Sequence, residues 1–152
     1  MKLPQYKIPI SSLVVIYTKQ LDILLLSRSD RKDFWQSVTG SLEKNESPID
    51  AAKREVLEET GIITENYLLE DWKLNHEYKI YSHWQHRYGP GVHFNTEHIF
   101  GLELPKKITI TLAPNEHNDF KWVSLNEAKK LVFSWTNVKA LEKLREIKLL
   151  AS

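Results

Sequence analysis

The 152 residues suit one domain and are enough to bury a sizeable core, and a composition of 41% hydrophobic and 27% charged residues is that of an ordinary soluble globular chain. Twenty-one Lys and Arg against twenty Asp and Glu leave a net charge of +1, so no global field draws in a polyanion and nucleic acid is not an expected partner. The lack of cysteine excludes disulfides, thiolate metal sites and cysteine nucleophiles. The charged "MKLPQYKIPI" has no apolar leader segment and "LVVIY" is far too short to span a bilayer, so a cytoplasmic location without a membrane partner is expected.

In chain order, the apolar, β-branched runs "IPISSLVVIY" (8–17) and "DILLLSR" (22–28), separated by the polar "TKQL", predict a hairpin. "FWQSVTG" (34–40) predicts a shorter strand ending at Gly40, followed by the loop "GSLEKNE". Ser47 is then a good N-cap, Pro48 a good first helical residue and Gly61 a good C-terminal stop. Between them Ile49, Ala52 and Val56 form an apolar stripe, with the acidic residues on another face. From about 67 to 104 the pattern turns to β: "EYKIYSHWQHRY" (77–88) and "TEHIFGLEL" (96–104) are expected strands joined by the turn-forming "GPGVHFN". "FKWVS" (120–124) is the last strand. Ser124 and Glu127 form a capping box for a helix through about Val132, and a final helix from about Thr136 to Leu149 carries Val138, Leu141, Leu144 and Ile147 at helical spacing. Strands with helices inserted and appended argue for an α+β or layered α/β/α fold on a mixed sheet.

"REVLEETG" (54–61) places Glu55, Glu58 and Glu59 at i, i+3 and i+4, where like charges weaken a helix by roughly a few tenths of a kcal/mol per pair. An acidic helix by itself reads as a solvated face, with Arg54 and Glu58 as an i,i+4 pair. Here the carboxylates cluster without interleaved lysines, and the glycine loop ahead of them carries a further acid, Glu46. Oxygen ligands converging from a rigid helix suit a hard divalent cation such as Mg²⁺, which would cancel the repulsion.

Gly40, five residues, Glu46, seven residues, then Arg54-Glu55-Val56-Leu57-Glu58-Glu59-Thr60-Gly61-Ile62 resembles the complete Nudix box, with every defined position filled. A chance match in a chain of this length is on the order of one in ten million. The strand order around the box also resembles that fold, a Nudix-like α/β/α sandwich with the catalytic helix after a glycine loop. The resemblance implies hydrolysis of a nucleoside diphosphate linked to another moiety, with Mg²⁺ as cofactor and Mn²⁺ able to substitute. Carried over by position, Glu55, Glu58 and Glu59 are the metal-facing, catalytic carboxylates and the Gly40 carbonyl a further ligand. The same resemblance makes Glu46 and Arg54 a pair that holds the loop against the helix, and Gly61 a structural position. Glu116, in "LAPNEHNDFKW", is either a solvated loop acid or, by its position between the last strands of the resembling family, the acid that completes the metal site or acts as base.

The box does not choose the substrate. Its flanks, "DFWQSVTGSLE", "SHWQHRYGPGV" and "SWTN", resemble the branch of the family that removes pyrophosphate from dihydroneopterin triphosphate. A triphosphate needs cations outside the metal site, and Lys7, Arg28 and Arg87 are candidates or else surface charges. Thr39 is either a phosphate- or ring-binding hydroxyl or a strand-end hydroxyl. A flat pterin wants aromatic walls, which Tyr78, Ile80, Tyr81, Trp84 and Trp135 could supply if they are not core. Strand alternation sets Tyr78 and Tyr81 on opposite faces, so both would face one pocket only across a bulge. Lys79 and Ser134, inside the same words, complete the candidate substrate-binding set. His83 and His86 on a strand would likewise point apart, so a shared zinc ion is not expected. Two other readings stand beside this one: a nucleotide-pool hydrolase acting on dNTPs, oxidised dNTPs or dinucleoside polyphosphates, and a non-catalytic nucleotide-binding module, against which the full set of box carboxylates argues. The expected partner is a small-molecule triphosphate, and monomer and homodimer are both compatible with the sequence.

Overall fold

A computed structural model describes residues 5–31 and 33–151. The first hairpin joins β1 (Ile10–Thr18) to β2 (Asp22–Arg28), with Leu21 at a positive φ of 66° and its N–H donating to the Thr18 carbonyl at 2.8 Å. β1 is the spine of the sheet. It runs parallel to β6 (Phe94–Leu104), in register from Ile10–Thr96 to Thr18–Leu104, and antiparallel to β2 and to β4 (Val38–Ser41). β5 (Leu68–Lys79) pairs antiparallel with the outer side of β6, while β3 (Trp35–Gln36) and β7 (His117–Ser124) pair antiparallel with β2. The seven strands therefore make one mixed sheet.

Both faces of that sheet are covered, which is why β1 and β2 read as continuous apolar runs rather than alternating ones. Val14 and Ile16 point to a core shared with Ala52 and Val56 of α1 (Pro48–Thr60). Leu13, Val15 and Tyr17 point the other way, to a core shared with Ala128 of α2 (Leu125–Leu131) and with Ala140, Leu141 and Leu144 of α3 (Trp135–Ala151). This is the expected layered α/β/α arrangement. Among the described residues no helix is long and apolar enough to cross a membrane.

Several local expectations change. The stretch 34–40 is two strands, not one: at Ser37 the ladder is interrupted, because Asn137 of α3 accepts from the Ser37 N–H at 2.9 Å and donates to its hydroxyl at 3.0 Å. The expected strand 77–88 ends at Lys79. After Ile80, whose N–H donates to the His93 carbonyl, the chain forms a 3-10 turn over Ser82–Arg87. Tyr81 stacks on His83 and meets Trp84 edge-on, and Tyr81 and Trp84 also meet Phe133, so tertiary aromatic packing overrides their β propensity. His83 and His86 accordingly lie on that turn and not on a strand. In α1, Ile49 is largely exposed, and the buried positions are Ala51, Ala52, Val56, Thr60 and one of the acids, Glu59. The Ser124 hydroxyl does cap α2 by accepting from the Glu127 N–H.

Candidate active site

The placement of the acids starts with the ends of α1. Ser47 Oγ accepts from the Asp50 N–H while Asp50 Oδ2 accepts from the Ser47 N–H, a capping box that pins the first turn. At the other end Gly61 takes φ 77° and donates to the Leu57 carbonyl, closing the helix where the left-handed conformation costs glycine least. Arg54 then ties the preceding loop to the helix. Its Nε and Nη2 form a fork on Glu46 (2.7 and 2.9 Å), Nη2 also donates to the Ser41 carbonyl, and Nη1 reaches Glu55 at 2.7 Å and Glu58 at 3.3 Å. The Arg54 hydrogen bonds hold the Glu46 carboxyl below the ordinary range. The box acids thus have a basic partner despite the absence of interleaved lysines: one guanidinium serves Glu46, Glu55 and Glu58.

Helical spacing alone puts the three glutamates on one face, but the fold separates them. Glu55 and Glu59 turn into a cleft, and Glu58 stays half-exposed against Arg54, outside the cleft lining. Gly40 faces Glu55 so closely that a Cβ there would overlap the carboxyl, with Cγ 2.7 Å away, so the cradle exists only because residue 40 has no side chain. Glu59 is 1% exposed; burial, then the neighbouring Glu55, pushes its carboxyl well above the ordinary carboxylate range. Glu55 is raised by burial as well, against hydrogen bonds to Glu59 and Arg54.

Glu116 comes to the same place from the loop before β7, and so does His117, which sequence reasoning did not single out. One ligand atom each from Glu59, Glu116 and His117 lie within 4.8 Å of one another, and His117 Nε2 is 3.4 Å from Glu59 Oε1. Burial, and then Arg28, push the His117 imidazole down to about 4, so it is neutral at pH 7. Glu59 Oε2 is buried without a hydrogen-bond partner among the described residues. Carboxylate oxygens gathered this closely, one of them orphaned, with a neutral imidazole beside them form a donor set that fits a hard divalent ion. The adjacency "NEH" was the only signal for His117 in the sequence.

Glu55, Glu59 and Glu116 line a cleft of about 1040 Å³, large enough for a phosphate chain, and a smaller recess of about 120 Å³ shares part of its lining. Lys7, Arg28, Gln36, Thr39, Gly40, Ser41 and Arg87 border both. Desolvation, followed by Arg87 and Arg28, lowers the proton affinity of the Lys7 ammonium, as expected where cations are crowded. Arg28 forks onto Asp30 at 2.7 and 2.6 Å and lies over the Trp84 ring, 4.8 Å from its centroid. The recess is walled by Tyr78, Ile80, Tyr81, Trp84, Phe133, Ser134 and Trp135. Tyr78 and Tyr81 thus face one recess without any bulge between them, because Tyr81 already lies past the end of β5. Lys79 is the exception in the predicted set. It is exposed and lines neither space, since alternation along β5 turns it away from Tyr78. Glu97, Gln36, Phe133 and Asn137 also line the recess without having been singled out. For Glu97 the available signal was alternation, which puts an acid on the same strand face as the core residue Ile99.

A model of the NUDIX domain family matches residues 7–144. Dihydroneopterin triphosphate diphosphatase of Escherichia coli is 46% identical over 145 residues, covering 93% of this chain and 95% of that protein. The protein of the same name from Haemophilus influenzae is 42% identical, covering 91% of this chain and 89% of its own. Among solved structures, that of the E. coli dihydroneopterin triphosphate pyrophosphohydrolase superposes with a TM-score of 0.86 at 45% identity, covering 91% of this chain and 95% of the other. A C. elegans Ap4A hydrolase complex, at 22% identity and a TM-score of 0.74 over 92% of this chain and 97% of the other, shares the fold.

Proposed function

Because the chain belongs to the Nudix family of hydrolases, we propose that it is a Mg²⁺-dependent pyrophosphohydrolase that converts dihydroneopterin triphosphate and water to dihydroneopterin monophosphate and pyrophosphate. The observation that carries this reading is that an acid-lined cleft and an aromatic recess share a border that carries Lys7, Arg28 and Arg87. A flat ring fits the aromatic end, the phosphates fit the cationic border, and the bond to be cut falls at the carboxylates.

In this reading Glu55, Glu59, Glu116 and the Gly40 carbonyl would hold the divalent ion, Mg²⁺ or Mn²⁺, with His117 close to Glu59 and Glu116. Glu58 contributes charge from the exposed side, where both Glu55 and Glu59 feel it. The bound ion supplies neutralisation of the charge that develops on the phosphate oxygens. One carboxylate of the Glu55–Glu59–Glu116 group takes the proton of the water that opens the bond between the α and β phosphates. Arg54 and Glu46 hold the loop that carries the Gly40 carbonyl. Thr39, Ser134 and the aromatic walls position the ring. A cytoplasmic setting and a small-molecule substrate belong to the same proposal.

The test is a panel assay with Mg²⁺, reading pyrophosphate and the monophosphate product. Dihydroneopterin triphosphate is expected to give a higher kcat/KM than any standard dNTP, and Glu59→Gln to lower turnover by roughly a hundredfold or more with the fold intact. Faster cleavage of 8-oxo-dGTP or a dinucleoside tetraphosphate would overturn the substrate. Full turnover by metal-free protein in excess EDTA would overturn the metal.

A further inference from the structure

Glu97 on β6 is a buried acid to which the reading above gives no work. It is 4% exposed, yet its carboxyl lines the aromatic recess with Tyr78, Tyr81 and Trp135. Oε2 accepts from Thr39 Oγ1 across a long 3.4 Å, and Thr136 also bonds the carboxyl. Oε1 is buried with no partner among the described residues. A buried carboxylate oxygen without a donor is costly, and such groups in folded proteins call for an explanation. The surroundings fix this group: Thr39 bonds Oε2, Thr136 bonds the carboxyl, and Tyr78, which lines the same recess, is itself held by Asn95 Nδ2 at 3.1 Å, which also donates to Ser11 Oγ at 2.8 Å.

We infer that Glu97 is the specificity-determining residue of the recess, its carboxylate accepting the paired N–H and NH₂ donors of a 2-amino-4-oxopyrimidine edge. The inference rests on the proposed function, in that a dihydropterin ring carries this edge. A carboxylate is acceptor-only and offers two oxygens side by side, which matches two adjacent donors as a guanidinium fork does. Guanine presents the same donor pair. Adenine sets a ring-nitrogen lone pair beside a single amino donor, so against Glu97 it meets repulsion and leaves one oxygen unpaired. A site built to bond a polar group discriminates far more strongly than an apolar wall does, because the wrong ring leaves buried groups unsatisfied.

The decisive experiment compares wild type with Glu97→Gln on dihydroneopterin triphosphate, dGTP and dATP with Mg²⁺, with a thermal melt as the folding control. The amide keeps one acceptor and turns a donor toward the ring's donors, so kcat/KM for the pterin and for dGTP is expected to fall roughly thirtyfold or more, that for dATP far less, and the ratio to collapse. A second arm measures binding of neopterin, which carries no phosphate, by fluorescence in EDTA; E97Q is expected to bind at least about tenfold more weakly. Equal losses on all three triphosphates, or wild-type selectivity together with wild-type neopterin binding, would overturn the assignment. If wild type cleaves none of the triphosphates, the reading of function fails, while the neopterin ratio still decides the role of Glu97.

Discussion

Replacing Gly40 by Ala tests the geometry of the acid cluster at one atom. Ordinary van der Waals contact begins near 3.4 Å, and a Cβ at position 40 would stand 2.7 Å from Glu55 Cγ, with Cδ and Oε1 closer still. Glu55 must therefore retreat by about 1 Å, a displacement of the size that costs on the order of a hundredfold in rate when it falls on catalytic groups. The same movement strains the 2.7 Å bond from Arg54 Nη1, but Arg54 keeps its fork on Glu46, so the loss of stability should be only about 1 kcal/mol, or roughly 2–4 °C in Tm. Gly40 does not occupy a left-handed conformation, so alanine is not strained by the backbone itself. Three measurements check this: pyrophosphate release at saturating Mg²⁺, Mn²⁺ affinity by calorimetry, and the melting temperature. The expected pattern is a kcat reduced about a hundredfold with weaker Mn²⁺ binding and a nearly wild-type melt. A G40A protein with wild-type kcat and Mn²⁺ affinity would refute the claim that Glu55 works from the place Gly40 leaves for it.

Two further outcomes follow from the network and from burial. Arg54→Ala removes the clasp on Glu46, Ser41, Glu55 and Glu58 together, so calorimetric or denaturant unfolding should report a loss of about 2–4 kcal/mol alongside weaker activity; an unchanged melt would show that the clasp holds nothing. Burial pushes the Glu97 carboxyl up to about 7 from an ordinary 4.5. Its contribution to stability is thus fully present below the unfolded value near 4.5 and is lost as pH rises through about 7, a change of about 3 kcal/mol. Glutamine does not titrate, so the Tm of E97Q relative to wild type should rise by roughly 5–10 °C between pH 5 and pH 8. A difference that did not vary with pH would contradict the desolvated state of this acid.

What the amino-acid sequence determined by itself is what local chemistry controls. Ser47, Pro48 and Gly61 bound α1 because capping and the left-handed stop need only neighbours along the chain. The runs 8–17 and 22–28 were legible as strands because they are apolar on both sides, and the Gly40-to-Ile62 pattern was legible as a family signature because its spacing is fixed. The tertiary structure decided what depends on contacts between distant segments. It ended β5 at Lys79, since packing of Tyr81 and Trp84 with Phe133, 49 residues on from Trp84 in the chain, outweighs β propensity. It split three glutamates on one helix face into two that face the cleft and one that is half-exposed, because Gly40 leaves room for Glu55, which Arg54 holds, while Glu59 is buried. It also brought Glu116 and His117 to Glu59, and left Glu97 Oε1, among aromatic rings, with no partner among the described residues. A helical or strand period says which residues share a face; only the packing of separate segments says which face looks into a cavity, and that is where the chemistry resides.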